Sequence, residues 1–445
     1  MKKTLLIICG CLLIQDSAIA RRDKNRAQTQ YDNARYSSYD YQYEKSNGRK
    51  NTRSSNRQQA ANDIDDSYSY QPDISRSKNT RSSNRNRNQP NRYYNENDYA
   101  NSQQYSKQQY ASQQYQESVS QQFTVKLENW MTCLWSLIKD LPLNQIKFVG
   151  THDSGTGVIS KDNAIVSSDG RTPGIAKLAP SKIVSWSQTQ DLTISQQLKI
   201  GVRYLDFRVS KEPKGLFLSH GLRGENLRDV LSGIASFVRM NPKEFLVIKI
   251  KGFPDKKISP KNDVNYEIAT LFEQMLGNHL LPSSALRKPL PMTSLRELVE
   301  GTGKNIAVLW ETKVKEKDTN RDMLKVMRQH PWLLSAGENI ESPWGNTPSS
   351  MELVSYTLDS AKRVDPNKLY ALHWTLTANP KYILGHLMTD GIKQMNAKLD
   401  KIDIDNVLSK ISFWNIVEAD FVTPQFVKRI ISYNANDPKS ISFVE

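Results

Sequence analysis

Two imidazoles, several carboxylates and an arginine stand at the ends of apolar runs in this chain. Phe148-Val-Gly-Thr-His-Asp-Ser-Gly-Thr-Gly157 stops a short apolar run at Gly150, then sets His152 beside Asp153 among small residues. Asp206 and Arg208 end Val202-Arg-Tyr-Leu-Asp-Phe-Arg208, and His220 ends Leu216-Phe-Leu-Ser-His220. Lys249 and Lys251 follow the run from Phe245, and Asp420 ends Ile416-Val-Glu-Ala-Asp420. One imidazole can take a proton from an attacking hydroxyl while the other gives one to a leaving oxygen. An arginine offers a fixed cationic fork to a phosphate in the transition state. Together these residue types point to acid–base phosphoryl transfer. The small residues after Gly150 are expected to let a ligand approach the imidazole.

Such residues act together only if the fold gathers them. Apolar runs of strand length recur at 146–149, 202–209, 216–218, 245–250, 306–310, 369–372 and 416–421. Helical spacing lies between several of them. In Glu225–Arg239, Leu227, Val230, Leu231, Ile234 and Val238 share a face; in Tyr382–Leu399, Ile383, Leu387, Ile392 and Met395 do so. Val125–Leu141 also reads as one amphipathic helix, stopped by Pro142. Strands alternating with helices imply parallel βαβ units. Seven or so strands predict an α/β fold, a TIM-like (β/α) barrel, closed or incompletely closed. Strand C-termini of such a barrel share one rim, which would bring these residues together.

Taken singly, each residue has a plainer reading. His152–Asp153 fits an Asx-type turn. Asp206 and Arg208, two apart on a strand, fit a salt bridge, and His220 fits a strand cap. His279, His330 and His386 match no pattern and are read as surface or packing residues.

Jointly, five ordered motifs resemble phosphatidylinositol-specific phospholipase C, in its single-domain, X-domain-like branch. They are Thr151-His-Asp-Ser-Gly-Thr156, Trp186-Ser-Gln-Thr-Gln190, Gln197-Leu-Lys-Ile-Gly-Val-Arg-Tyr-Leu-Asp-Phe-Arg208, Ser219-His-Gly-Leu222 and Ala419-Asp-Phe-Val-Thr-Pro424. The resemblance runs from about 144 to about 434. It implies that His152 is the general base, oriented by Asp420, and that His220, assisted by Asp153, is the general acid. Arg208 would hold a phosphate oxygen, with Asp206 supporting it or the attacking hydroxyl. Diacylglycerol and a cyclic inositol phosphate would be the products, with no cofactor and no metal. In calcium-dependent relatives an acidic residue in the motif around 206–208 helps bind the ion, whereas here that motif ends in Arg208. The chain departs from the bacterial enzymes at the sugar pocket, where Leu309-Trp310-Glu311 supplies no arginine. Lys251 and Trp374 are the substrate-contact candidates there, Trp374 by stacking on a sugar face. Two alternatives stand beside this: a catalytically silent barrel acting as a surface-binding module, and a metal-dependent glycerophosphodiesterase, whose carboxylate cluster would want an oxygen ligand where Arg208 stands.

The rest of the chain bounds the setting. Of 445 residues, all eight tryptophans lie at or after Trp130, so the globular part is read as one domain, 122–445. Residues 1–20 read as a signal peptide: Lys2 and Lys3, an apolar stretch too short to span a bilayer, then Ala18-Ile19-Ala20. That predicts a secreted or periplasmic protein. Residues 21–121 contain no Trp, Cys, Leu or Met, and repeat Lys-Asn-Thr-Arg-Ser-Ser-Asn-Arg at 50–57 and 78–85. Such a segment cannot bury enough apolar surface to offset its ordering entropy, so we read it as a disordered tether. The formal net charge of +15 suits anionic surfaces such as phospholipid. No specific nucleic-acid partner is expected, and the domain is read as a monomer. With Cys9 and Cys11 in the leader, Cys133 stands alone and is read as a buried hydrophobe without a disulfide.

Overall fold

The computed structural model describes residues 122–167, 179–251, 261–311, 326–387 and 389–444. The expected leader and tail, 1–121, lie outside the described residues.

Twelve strands are present among the described residues: β1 (Phe123–Lys126), β2 (Phe148–Thr151), β3 (Tyr204–Glu212), β4 (Gly215–His220), β5 (Leu222–Asn226), β6 (Leu246–Lys251), β7 (Ile306–Glu311), β8 (Leu333–Ser335), β9 (Ile340–Glu341), β10 (Leu369–Trp374), β11 (Ile416–Ala419) and β12 (Ile441–Val444). Eight of them pair in the order β8-β7-β6-β3-β2-β11-β10-β9, and every pair along this path is parallel. Read as a ring, this is sequence order all the way round, the order of a TIM-like barrel. No ladder joins β8 to β9 among the described residues, so the curled sheet stays open at that seam. β1 and β12 form a separate parallel pair.

The strands read as largely apolar runs because both faces are covered. β2 and β11 are buried at every position, and β6 and β7 at all but the last. The helix Leu227–Met240 begins two residues later than predicted, because Glu225 and Asn226 end β5: the Asn226 side chain accepts from the N–H groups of Arg228 and Asp229, and Leu227, Val230, Leu231, Ile234 and Val238 are buried. Among the described residues, no helix is long and apolar enough to cross a membrane.

Several expectations change. Val125–Leu141 is not one helix: β1, a 3₁₀ turn at Leu127–Asn129 and the short helices Trp130–Cys133 and Trp135–Ile138 share it. Pairing of Phe123–Lys126 with β12 extends the first residues, which are buried only at alternate positions. Tyr382–Leu399 is likewise split into Pro380–His386, Ile392–Asn396 and a 3₁₀ turn at Leu399–Lys401. The break falls at Gly391, where an added Cβ would meet the Ser185 carbonyl oxygen at 2.5 Å. Residues 216–218 are not a barrel strand. They belong to β4, antiparallel to β3, in a β3-β4-β5 meander that extends beyond the barrel ladder. The true fifth and sixth barrel strands, β8 and β9, are three and two residues long, too short to show as apolar runs. Cys133 is half-buried, not fully buried, and carries no disulfide.

At the opposite strand ends, Arg203 and Glu244 form a fully buried ion pair, Nη2 to Oε2 at 2.7 Å. Glu244 also accepts from the N–H groups of Met131 and Thr132, and Arg203 donates to the carbonyls of Leu198, Val202 and Glu128. Every charge there is met by several hydrogen bonds, which offsets the desolvation cost of burying it.

Candidate active site

The residues singled out at strand ends converge. His152 follows β2, and its Nδ1 lies 3.0 Å from Asp420 Oδ1, just past β11. The Asn396 amide donates to the other Asp420 oxygen at 2.9 Å, fixing the carboxylate. On the far side of the ring, His152 Nε2 lies 2.8 Å from Arg208 Nη2 and 3.4 Å from Asp153 Oδ2. Arg208 Nε contacts Asp153 Oδ1 and lies 3.4 Å from Asp206 Oδ2. Asp153 Oδ2 is also 3.4 Å from His220 Nε2, and His220 donates from Nδ1 to the Ser187 carbonyl at 3.0 Å. One connected cluster therefore runs Asp420–His152–Arg208–Asp153–His220, with the two imidazole centroids 6.3 Å apart. The carboxylates lie inside, while the side chains of His152, Arg208 and His220 keep 14%, 16% and 27% exposure. A ligand thus meets the two imidazoles and the guanidinium first.

Local backbone explains how neighbours in sequence point apart. Asp153 sits in the left-handed region (φ 43, ψ 53), which aspartate tolerates better than most residues. Phe421, next to Asp420, is also left-handed at φ 50. The stretch 187–190 clamps both turns. Thr189 Oγ1 donates to the carbonyls of His152 or Asp153, at 3.1 and 3.2 Å. The Gln190 amide donates to the carbonyls of His152 and Ala419, both at 3.0 Å. Phe421 N donates back to the Thr189 carbonyl at 2.7 Å. This motif therefore positions the site from behind and holds His220 through Ser187.

The smallness of 154–157 has a different cause from the one expected. An added Cβ at Gly155 would lie 2.3 Å from Leu218 Cβ, and one at Gly157 would lie 2.3 Å from the Leu192 carbonyl oxygen. Ser154, Gly155 and Thr156 are buried. The loop is small because β4 presses on Gly155 and the backbone at Leu192 on Gly157, and the close approach of β4 sets His220 beside Asp153.

Electrostatics divide the two imidazoles. Burial works against protonating His152, but Asp153 and Asp420 outweigh it and raise the pKa to about 9. Arg208 pulls the other way, and its 2.8 Å contact is a hydrogen bond only when Nε2 is unprotonated. The geometry is that of the neutral ring with its proton on Nδ1; the carboxylates favour the imidazolium that follows proton uptake. His220 is pushed below the ordinary histidine range by burial, with Asp153 opposing and Arg208 reinforcing. Burial would raise Asp206 and Asp153, yet Arg208 holds both carboxylates low.

Ligating atoms of His152, Asp153 and Asp206 lie within 4.8 Å of one another, close enough to share a cation. Arg208 touches all three residues, so a permanent guanidinium already lies among those donors.

The sugar-side candidates fare unevenly. Lys251 closes β6 beside Arg208 in the β3–β6 ladder and Glu311 in the β6–β7 ladder. Trp374 is not exposed to a ligand: it is 5% accessible and belongs to the main apolar core. Its neighbour His373 turns inward instead, its ring 6.1 Å from that of His152 and its Nε2 3.3 Å from the fully buried Glu418. Lys249 is buried, donates to Ser342 Oγ at 2.8 Å and lies 3.8 Å from Glu311. His373, Glu418, Asn396 and Ser187 escaped sequence reasoning. Glu418 interrupts the apolar run of β11 two residues before Asp420, a break that could have drawn attention to it. His279, His330 and His386 lie elsewhere, paired with Asn305, Glu273 and the Tyr382 carbonyl.

No family model matches the chain. Among curated proteins it is 25% identical over 334 residues to human PI-PLC X domain-containing protein 1, covering 69% of this chain and 92% of that one. It is 28% identical over 238 residues to human PI-PLC X domain-containing protein 2, covering 51% and 70%. Among solved structures, a phosphatidylinositol-specific phospholipase C from Listeria monocytogenes aligns at TM-score 0.46 and 20% identity, over 70% of this chain and 99% of that one. The sequence similarity, spanning most of the first relative's length, supports a PI-PLC-like superfamily for this chain.

Proposed function

We propose that the protein is a phospholipase C-type phosphodiesterase that cleaves phosphatidylinositol or a related inositol lipid by metal-free acid–base catalysis. The observation that carries this reading is the Asp420–His152–Arg208–Asp153–His220 cluster, in which two imidazoles flank one guanidinium. His152 Nε2 takes the proton from the inositol hydroxyl next to the phosphodiester, and the new imidazolium is stabilised by Asp420. The oxygen attacks phosphorus as Arg208 meets charge on a non-bridging oxygen. His220 Nε2 protonates the departing diacylglycerol oxygen. The guanidinium supplies the cationic charge that a divalent ion would otherwise bring.

The basic segment 21–121 would tether this domain to anionic lipid surfaces, and the leader would export it. Phosphatidylinositol vesicles mixed with the purified protein, with water-soluble products followed by phosphorus NMR, test the reading. A cyclic inositol phosphate resonance that persists in excess EDTA is expected. No product, or product that needs added calcium, overturns it.

A further inference from the structure

Glu418 is an anomaly in the barrel interior. It is fully buried on β11, and neither carboxyl oxygen makes a well-aligned hydrogen bond among the described residues. Its close polar neighbour is His373 Nε2 at 3.3 Å, on the paired position of β10. An ionised carboxylate in such a place would cost several kcal/mol. The other acids of the site have their partners: Asp153 and Asp206 contact Arg208, Asp420 holds His152 and Asn396, and Glu311 faces Lys249. Lys249, which also acts on Glu418, gives its ammonium to Ser342.

We propose that Glu418 is a neutral carboxylic acid sharing its proton with His373, and that its neutrality holds down the basicity of His152; Glu418 is a positioning residue. The two side chains together carry two protons and no net charge. Ionised, Glu418 would add a fourth carboxylate to Asp153, Asp206 and Asp420 around His152 and make the imidazolium harder to discharge. The groups facing it are Asp206, Arg208 and Tyr204 from β3, Lys249 from β6, His373 from β10 and His152 after β2, with Glu311 of β7 behind Lys249. Burial foremost, with Asp206 adding, raises Glu418 to about 8, and His373 is held well below the ordinary range by burial and by Lys249.

This inference deepens the acid–base reading of His152, but its test needs no turnover, so the two fail separately. Infrared difference spectra of the full chain, wild type against Glu418→Gln at pH 6, should show one carboxylic-acid C=O band lost in the variant. The same band should vanish from wild type as pH rises through about 8. In histidine-edited NMR above that pH, Glu418→Gln should lower the His152 midpoint by about one pH unit. No lost band at pH 6 means Glu418 is ionised and overturns the proposal; a lost band with an unmoved His152 midpoint overturns the positioning role. Should Glu418→Gln not fold, wild type carrying ¹³C-carboxyl glutamate decides the first point: a buried glutamate that titrates near 8 is expected, and none titrating above 7 refutes it.

Discussion

Arg208→Lys isolates the claim that a guanidinium stands in for a metal. Arg208 reaches three groups at once: Asp153 and Asp206 through Nε, and His152 through Nη2 at 2.8 Å. An ammonium on a single stem can keep the charge but cannot span these partners and a phosphate oxygen together. Charge-assisted hydrogen bonds contribute roughly 1.5–3 kcal/mol each. Losing one or two of them in the transition state, at about 1.36 kcal/mol per tenfold, lowers turnover by about 10- to 10⁴-fold. The assay is release of cyclic inositol phosphate from vesicles, run with EDTA and with calcium, with circular dichroism to check the fold. A folded Arg208→Lys protein within about threefold of wild type would refute the argument. So would a variant whose activity calcium restores, because the carboxylates would then be ion ligands.

His152→Ala and His220→Ala should each lower turnover by ~10²–10⁴ with unchanged circular dichroism, and near-normal turnover in either would undo the assigned roles. For pH, the productive form has His152 neutral and His220 protonated. With His152 titrating at about 9 and His220 below its ordinary value, kcat/KM should rise through the His220 ionisation, stay level, and fall above about 9; histidine NMR showing His152 titrating below 6.5 would contradict this. Glu225 accepts from Ile194 N at 3.0 Å, and burial raises its carboxyl to about 7. Because the folded state holds this proton more tightly than the unfolded chain, its stabilising effect is complete below about pH 4.5 and is lost as pH rises through about 7. Glu225→Gln should therefore raise the melting temperature at pH 8–9 and leave it nearly unchanged at pH 4; a drop at pH 8 would show that the carboxylate itself is needed.

Apolar runs and the residues that end them were enough to read the barrel class and the reactive residues from the chain alone. Strands covered on both faces are mostly apolar, so β2, β3, β6, β7, β10 and β11 show as apolar runs broken only at a few positions such as Asp206, Lys249 and Glu418, and parallel order places their ends on one rim. His152 and Asp420 were legible because each follows such a strand, Arg208 because it interrupts the apolar start of β3, and His220 because it ends the apolar stretch of β4. The remaining features depend on contacts between distant segments. β8 and β9 exist because neighbouring strands template two or three residues that carry no periodic signal. His220 reaches Asp153 through a β-meander folded over the rim, and Gly155 is small to receive it. At β10, one residue of register turns His373 toward the site and Trp374 into the core, because successive side chains on a strand point to opposite faces. The pairing of Glu418 with His373 follows from the β10–β11 register, which no local pattern in either strand specifies.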